Sequence, residues 1–64
     1  MKEVFIIKNL ENNLYYHQFT GAVLWSNDIE MISEFDTYGE AKGVIESKLL
    51  EGRYSIEKIF IKWD

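Results

Sequence analysis

The sequence predicts an α+β fold: a small antiparallel sheet of three to four strands with one helix packed on one face, in β-β-(β)-α-β order. Two observations predict it. Runs rich in β-branched and aromatic residues lie towards both ends of the chain, and a run with helical spacing lies before the last of them. Sixty-four residues suffice for one domain, residues 1–64. A chain of this length buries only about 60% of its unfolded surface, so its stability is expected to be thin.

The N-terminal part of the chain predicts a hairpin. Residues 3–8 and residues 14–19 read as strands, and the asparagine-rich residues 9–13 between them supply turn chemistry. Residues 22–25 are either a third strand or the continuation of the second strand past a bulge at Gly21.

The middle of the chain is less regular. A turn or a single helical turn is expected over residues 29–31, and a short strand over residues 32–35.

The helix begins at a capping box. Thr37 is placed to accept from the amide of Glu40, and the Glu40 carboxylate to accept from the amide of Thr37. The residues that follow form one apolar stripe at helical spacing: Tyr38, Ala41, Val44, Ile45 and Leu49. Within this run Gly43 is expected to allow close approach to the sheet, and Gly52 to stop the helix.

The last strand is predicted over residues 54–63, with a bulge near residues 57–58 because Ile56 falls out of phase with Ile59. Both the first and the last strand carry apolar side chains on both faces, and one helix covers one face only. Either tyrosine and tryptophan side chains from residues 14–25 cover the second face, or another molecule does. A homodimer is therefore left open.

The residue inventory argues against catalysis. The chain has no cysteine and one histidine, His17, which lies in the middle of a predicted strand rather than beside a nucleophile and an acid. The chain is predicted not to be an enzyme and to need no cofactor. A metal site drawn from Asp28, Glu30 and Glu34 lacks the alternating oxygen ligands and the turn glycine of a calcium loop, so we interpret these residues as a solvated acidic face.

The negative charge is concentrated in one segment. Residues 28–46 carry six carboxylates against Lys42 alone, within a chain of net charge −4. This field repels phosphate backbones, so direct nucleic-acid binding is not expected. An acidic ridge of this kind either keeps the protein soluble or meets a basic partner, in the second case by imitating a phosphate backbone. The aromatic side chains upstream are interpreted as core rather than as a ligand platform: Tyr15, Tyr16, His17, Phe19 and Trp25.

Nothing in the sequence predicts export or membrane insertion. Residues 1–3 carry mixed charge, and the apolar run 4–7 is too short for a signal peptide or for a span of about 20 residues. A cytoplasmic location is expected.

The order of features resembles a diffuse class of small phage and mobile-element proteins. That pattern has a tyrosine-bearing hairpin, a tryptophan followed by an acidic turn, and then a Phe-Asp/Ser-Thr and Glu-Ala sequence that opens a helix. The matching residues span about residues 3–46 and are Tyr15, Trp25, Asp28, Phe35, Thr37, Glu40 and Ala41. The resemblance implies a context of host antagonism, including anti-defence and anti-CRISPR proteins that work by stoichiometric binding. It implies no role for any single residue.

The leading hypothesis is a non-enzymatic, phage-encoded interaction protein that binds and inhibits a host protein through an acidic surface. The expected partner-binding residues are Asp28, Glu30, Glu34 and Asp36, with Trp25 as an aromatic anchor. Two alternatives stay open. One is a homo-oligomer that sequesters a nucleotide signal, and the other is a structural or regulatory module without an inhibitory role.

Overall fold

A computed structural model describes residues 1–19, 22–49 and 52–61. The elements follow in chain order: β1 (Lys2–Asn9), β2 (Tyr15–Phe19), β3 (Ala22–Ser26), α1 (Tyr38–Lys48) and β4 (Tyr54–Ile61). The four strands form one antiparallel sheet in the order β3-β2-β1-β4. The predicted fold class and element order are confirmed, and residues 22–26 form a third strand. The bulge expected at Gly21 lies outside the described residues.

The sheet has two chemically different faces, because side chains alternate across each strand. The face under α1, which we call the helix face, carries Phe5 and Ile7 of β1 together with Tyr16 of β2. The opposite face, which we call the second face, carries Val4 and Ile6, both almost fully buried although no helix covers them.

Beyond the Lys8–Tyr15 pair, β1 and β2 separate, and part of the irregular segment before α1 fills the gap. Phe35 exchanges two backbone hydrogen bonds with Phe5, each 2.8 Å long. On the other side, the Ser33 amide donates to the Tyr16 carbonyl. The short strand predicted over residues 32–35 is thus reduced to a single bridge, which is wedged between two strands of the sheet.

The main core lies between the sheet and the helix. Its buried members are Ile7, Tyr16, Ala41 and Leu49. The Tyr16 ring stacks on Phe35 and packs edge-on against Trp25, with centroid distances of 6.1 Å in both cases. Val44 and Ile45 pack against this core as predicted, whereas Tyr38 stays largely exposed at the start of the helix.

The helix starts at the predicted residue, and one half of its predicted capping box is confirmed. The Thr37 hydroxyl accepts from the amide of Glu40 at 3.1 Å. The Glu40 carboxylate accepts from the amide of Asp36 at 3.2 Å, so the prediction that it reaches the Thr37 amide is wrong. The Glu40 side chain thus bonds to the amide of the residue before the N-cap, one position earlier than in a regular capping box.

Both glycine expectations for the helix need correction. A Cβ at Gly43 would meet nothing within 4 Å, so this glycine does not bring the helix close to the sheet. The helix ends at Lys48 with Leu49 as its C-cap, before it reaches Gly52. Gly52 has φ +111°, a conformation that glycine adopts without strain, and it lies in the connection that leads into β4.

The predicted bulge in the last strand is wrong. The eight residues of β4 pair one for one with Lys2–Asn9. Ile56 and Ile59 are out of phase because they occupy opposite faces of a regular strand, and each face has apolar neighbours. Residues 62–63, which the prediction included in this strand, lie outside the described residues.

Candidate functional site

The residues between β3 and the first turn of α1 form a continuous acidic segment, residues 28–40, which we call the acidic segment. Its first part is a tight turn, in which the Met31 amide donates to the Asp28 carbonyl at 2.8 Å and the Asp28 carboxylate accepts from the Glu30 amide at 3.0 Å. Ser26 supports the turn by accepting from the Asp28 amide. The wedge at Ser33 and Phe35 then ties the segment to the sheet. The backbone of the segment is therefore held in two places, at the turn and at the wedge.

Every carboxylate-bearing residue of the acidic segment is exposed. They are Asp28, Glu30, Glu34, Asp36 and Glu40. Of the four acidic residues predicted to bind a partner, only Asp36 makes an ion pair within the described residues, with Lys2 at 3.0 Å. The structure therefore places all four on the surface of one segment, and it leaves Glu30 and Glu34 without an ion pair or a side-chain hydrogen bond among the described residues.

Large apolar side chains lie between these carboxylates and are themselves exposed. Ile29 and Met31 project from the turn, and Tyr38 projects from the first turn of the helix. A solvated acidic face needs only polar side chains, whereas a protein-binding surface combines apolar anchors with a charged surround. The acidic segment has the second composition.

Trp25, the aromatic anchor expected beside the acidic residues, is engaged inside the molecule. Its ring is stacked on Tyr54 at a centroid distance of 5.7 Å and an interplanar angle of 8°, and it also contacts Tyr16. The residue is half-buried. The stack joins β3 to β4 over the helix face, so Trp25 contributes mainly to packing in this fold.

The small-ligand alternative, a homo-oligomer that sequesters a nucleotide signal, would need its few basic residues to converge on the phosphates: Lys8, Arg53, Lys58 and Lys62. Within a single copy, the described members of this set do not share one face of the sheet. Lys8 belongs to the second face, whereas Lys58 belongs to the helix face and pairs with Glu3 at 3.4 Å. Arg53 lies at the cleft described below, and Lys62 is outside the described residues. Because Lys8 and Lys58 lie on opposite faces of the sheet, one copy does not present both side chains to the same phosphate.

A shallow cleft of about 770 Å³ opens at the C-terminal end of the helix. Its lining combines the apolar Leu10, Ile45 and Leu49 with Arg53 and Glu46. The residues that connect Leu49 to Gly52 are outside the described ranges, so we assign the cleft no ligand.

His17 lies on the second face with its ring 6.1 Å from that of Phe19. Its Nε2 atom is buried and has no hydrogen-bond partner in the described part of the chain. Nearby, the Tyr15 hydroxyl donates to Glu57 across the second face at 3.2 Å. Desolvation, and then the charge of Glu57 and this hydrogen bond, raise the pKa of Tyr15. These contacts give His17 neither a nucleophile nor an orienting acid.

Residues 1–19, 22–49 and 52–61 contain no group of three or more His, Cys, Asp or Glu side chains that could hold a metal ion. Among the same residues, no helix is long and apolar enough to cross a membrane.

No protein-family model matches the chain, and no curated protein or solved structure is significantly similar to it. The resemblance to phage and mobile-element proteins therefore stays a prediction.

The sequence identified the carboxylates of the candidate site but missed its apolar members. Ile29, Met31 and Tyr38 look like core residues in a sequence, because large apolar side chains are usually buried. The available signal was their position within fourteen residues, 28–41, that hold five acidic and no basic side chains.

Proposed function

We propose that this protein is a non-enzymatic binding protein that docks on a basic protein surface through its acidic segment. The observation that carries the proposal is the alternation of exposed carboxylates with the exposed side chains of Ile29, Met31 and Tyr38. Apolar anchors supply affinity in protein interfaces, and complementary charge supplies encounter rate and specificity.

The held backbone supports the same proposal. The acidic segment is fixed by the turn at Asp28 and by the wedge at Ser33 and Phe35, so its backbone does not have to be ordered on binding. Preorganisation of this kind reduces the entropy lost on association.

Blocking of a host protein is the outcome we propose for this binding. A partner with a basic surface large enough to meet several carboxylates uses that surface for another acidic ligand, such as a nucleic acid, and stoichiometric occupation would exclude that ligand. The phage or mobile-element resemblance supports this setting.

Capture from a bacterial lysate, compared between two matched variants, tests the proposal. Met31 and Leu24 are each 45% exposed, but only Met31 belongs to the acidic segment. A specific partner should be recovered by the wild type and by Leu24→Ser. Its recovery should fall at least about tenfold with Met31→Ser, because a hot-spot anchor is worth about 2 kcal/mol or more and a tenfold change needs about 1.4 kcal/mol. Equal recovery by both variants, or turnover of a substrate by the purified protein, would overturn the proposal.

A further inference from the structure

The outer edge of β4 has an open row of backbone hydrogen-bonding groups. The Leu10 amide donates to the Arg53 carbonyl at 2.9 Å, which shows that the backbone polar groups of Arg53 point towards β1. These groups alternate in direction along a strand, so those of Ile56, Lys58 and Phe60 point away from β1. The hydrogen bonds of β1 fit this alternation, because the backbone groups of Phe5 point away from β4 and bond to Phe35.

Nothing among the described strands covers this edge. The sheet order ends at β4, and no backbone hydrogen bond joins Ile56, Lys58 or Phe60 to another described element on the outer side. The strand is eight residues long and has neither a bulge nor a proline, two of the devices that commonly prevent edge pairing. It does carry the charged residues Glu57 and Lys58, so the register of any pairing depends on where these charges fall.

We infer that β4 pairs antiparallel with β4 of a second copy of this chain, about a twofold axis through Ile59. In an antiparallel pair, two facing residues either both point their N–H and C=O groups towards the partner strand or both point them away. A twofold axis meets this condition only when it passes through a residue of β4, which then faces its own copy. An axis at Glu57 or Lys58 would oppose two carboxylates or two ammonium groups, which is unfavourable. Of the four central residues, 56–59, only Ile56 and Ile59 can therefore lie on the axis without opposing like charges.

The exposure of Phe60 selects between the two isoleucines. With Ile59 on the axis, Lys58 of each copy lies opposite Phe60 of the other, and the lysine stem covers a ring that is 60% exposed in the single copy. With Ile56 on the axis, Phe60 has no facing residue in the β4 strand of the second copy. The Ile59 register also brings the two Ile59 side chains together on the second face, as a close non-hydrogen-bonded pair.

The pairing would give a dimer with one continuous eight-stranded sheet and two helices. This inference does not depend on the proposed binding function. The acidic segment contacts the β2 side of β1, through Phe35 and Phe5, whereas the paired edge lies on the β4 side. Both acidic segments of the dimer stay accessible, which would give a bivalent binder.

Sedimentation equilibrium over about 10 μM to 1 mM tests the inference. The concentrations are high because pairing of a single strand buries less than the roughly 1,000 Å² of a stable interface, so the dimer is expected to be weak. The wild type should show a concentration-dependent monomer–dimer equilibrium. Phe60→Lys should raise the dimer dissociation constant at least about tenfold, since it opposes lysine to lysine twice per dimer. Phe19→Lys is the matched control, because Phe19 is also 60% exposed but lies in β2, and it should leave the constant unchanged.

Phe60→Pro gives a second test that is independent of charge. The Phe60 N–H points away from β1, so a proline here removes two of the four intermolecular hydrogen bonds available to the described residues and keeps the β1–β4 pairing. Circular dichroism should show a folded protein, and dimerisation should be lost. In the wild type, hydrogen exchange at the Lys58 and Phe60 amides should slow as the protein concentration rises. A monomer across the whole range, or a dimer that Phe19→Lys weakens as much as Phe60→Lys does, would overturn the inference.

Discussion

At the scale of single residues, the Thr37 hydroxyl has a role that the sequence already specifies. It accepts from the Glu40 amide and caps the helix, with backbone angles in the extended region. Thr37→Ala is expected to lower the free energy of unfolding by about 1 kcal/mol, measured by urea denaturation. Ser47→Ala is the control, because the Ser47 hydroxyl donates to the Gly43 carbonyl inside the helix and caps nothing. A loss of stability that is as large for Ser47→Ala would contradict the capping role.

Tyr16 contributes to the response of stability to alkaline pH. Burial raises the pKa of its phenol above the ordinary value of about 10. Above that pH the unfolded chain loses the proton while the folded protein keeps it, so the folded state holds more protons and the free energy of unfolding falls as pH rises. The contribution is fully present below about pH 10.

Tyr16→Phe should therefore make the decline of stability above about pH 10 less steep, in denaturation curves measured at several pH values. Tyr38→Phe, at an exposed ring, should keep the slope of the wild type. An unchanged slope in Tyr16→Phe would show that the phenol does not contribute to the alkaline response.

At the scale of elements, the helix is the part that local sequence predicts best. Its start depends on Thr37 and its inner stripe on residue spacing, and both are properties of neighbouring residues. The wedge of residues 33–35 could not be predicted in the same way. It depends on β1 and β2 separating beyond Lys8 and Tyr15, and no local pattern encodes the distance between two strands.

The two glycines of this region should respond to alanine in opposite directions. Gly43 lies in an exposed part of the helix where a Cβ meets nothing, so Gly43→Ala should raise the free energy of unfolding by roughly 0.5–1 kcal/mol. Gly52 has φ +111°, and a Cβ there would lie 2.7 Å from the Tyr54 hydroxyl oxygen, so Gly52→Ala should be destabilising. Thermal and urea denaturation measure both changes, and destabilisation by Gly43→Ala would mean that this glycine packs more closely than its geometry indicates.

At the scale of the whole molecule, the sequence predicts the sheet, the helix and the acidic charge but not the surface that combines them. The expected anchor, Trp25, stacks on Tyr54 across the helix face, so its ring is engaged inside the molecule. Ile29 and Met31 are exposed instead, since the turn that carries them projects from the sheet. Which apolar side chains remain for a partner is decided by tertiary packing, which a residue pattern does not contain.

Two charge-reversal variants with the same net charge, one inside and one outside the acidic segment, test the central claim that this segment binds the partner. Glu30→Lys/Glu34→Lys and Glu11→Lys/Glu46→Lys each change the net charge from −4 to 0, and all four residues are exposed. None of these carboxylates makes an ion pair or a side-chain hydrogen bond among the described residues, so both variants should fold.

The measurement is a titration of the captured partner with the wild type and the two double variants, at two salt concentrations. The account predicts at least about tenfold weaker binding for Glu30→Lys/Glu34→Lys, a change of less than about threefold for Glu11→Lys/Glu46→Lys, and a smaller difference between them at higher salt. Equal losses in the two variants would mean that only net charge matters, and undiminished binding by Glu30→Lys/Glu34→Lys would place the interface elsewhere.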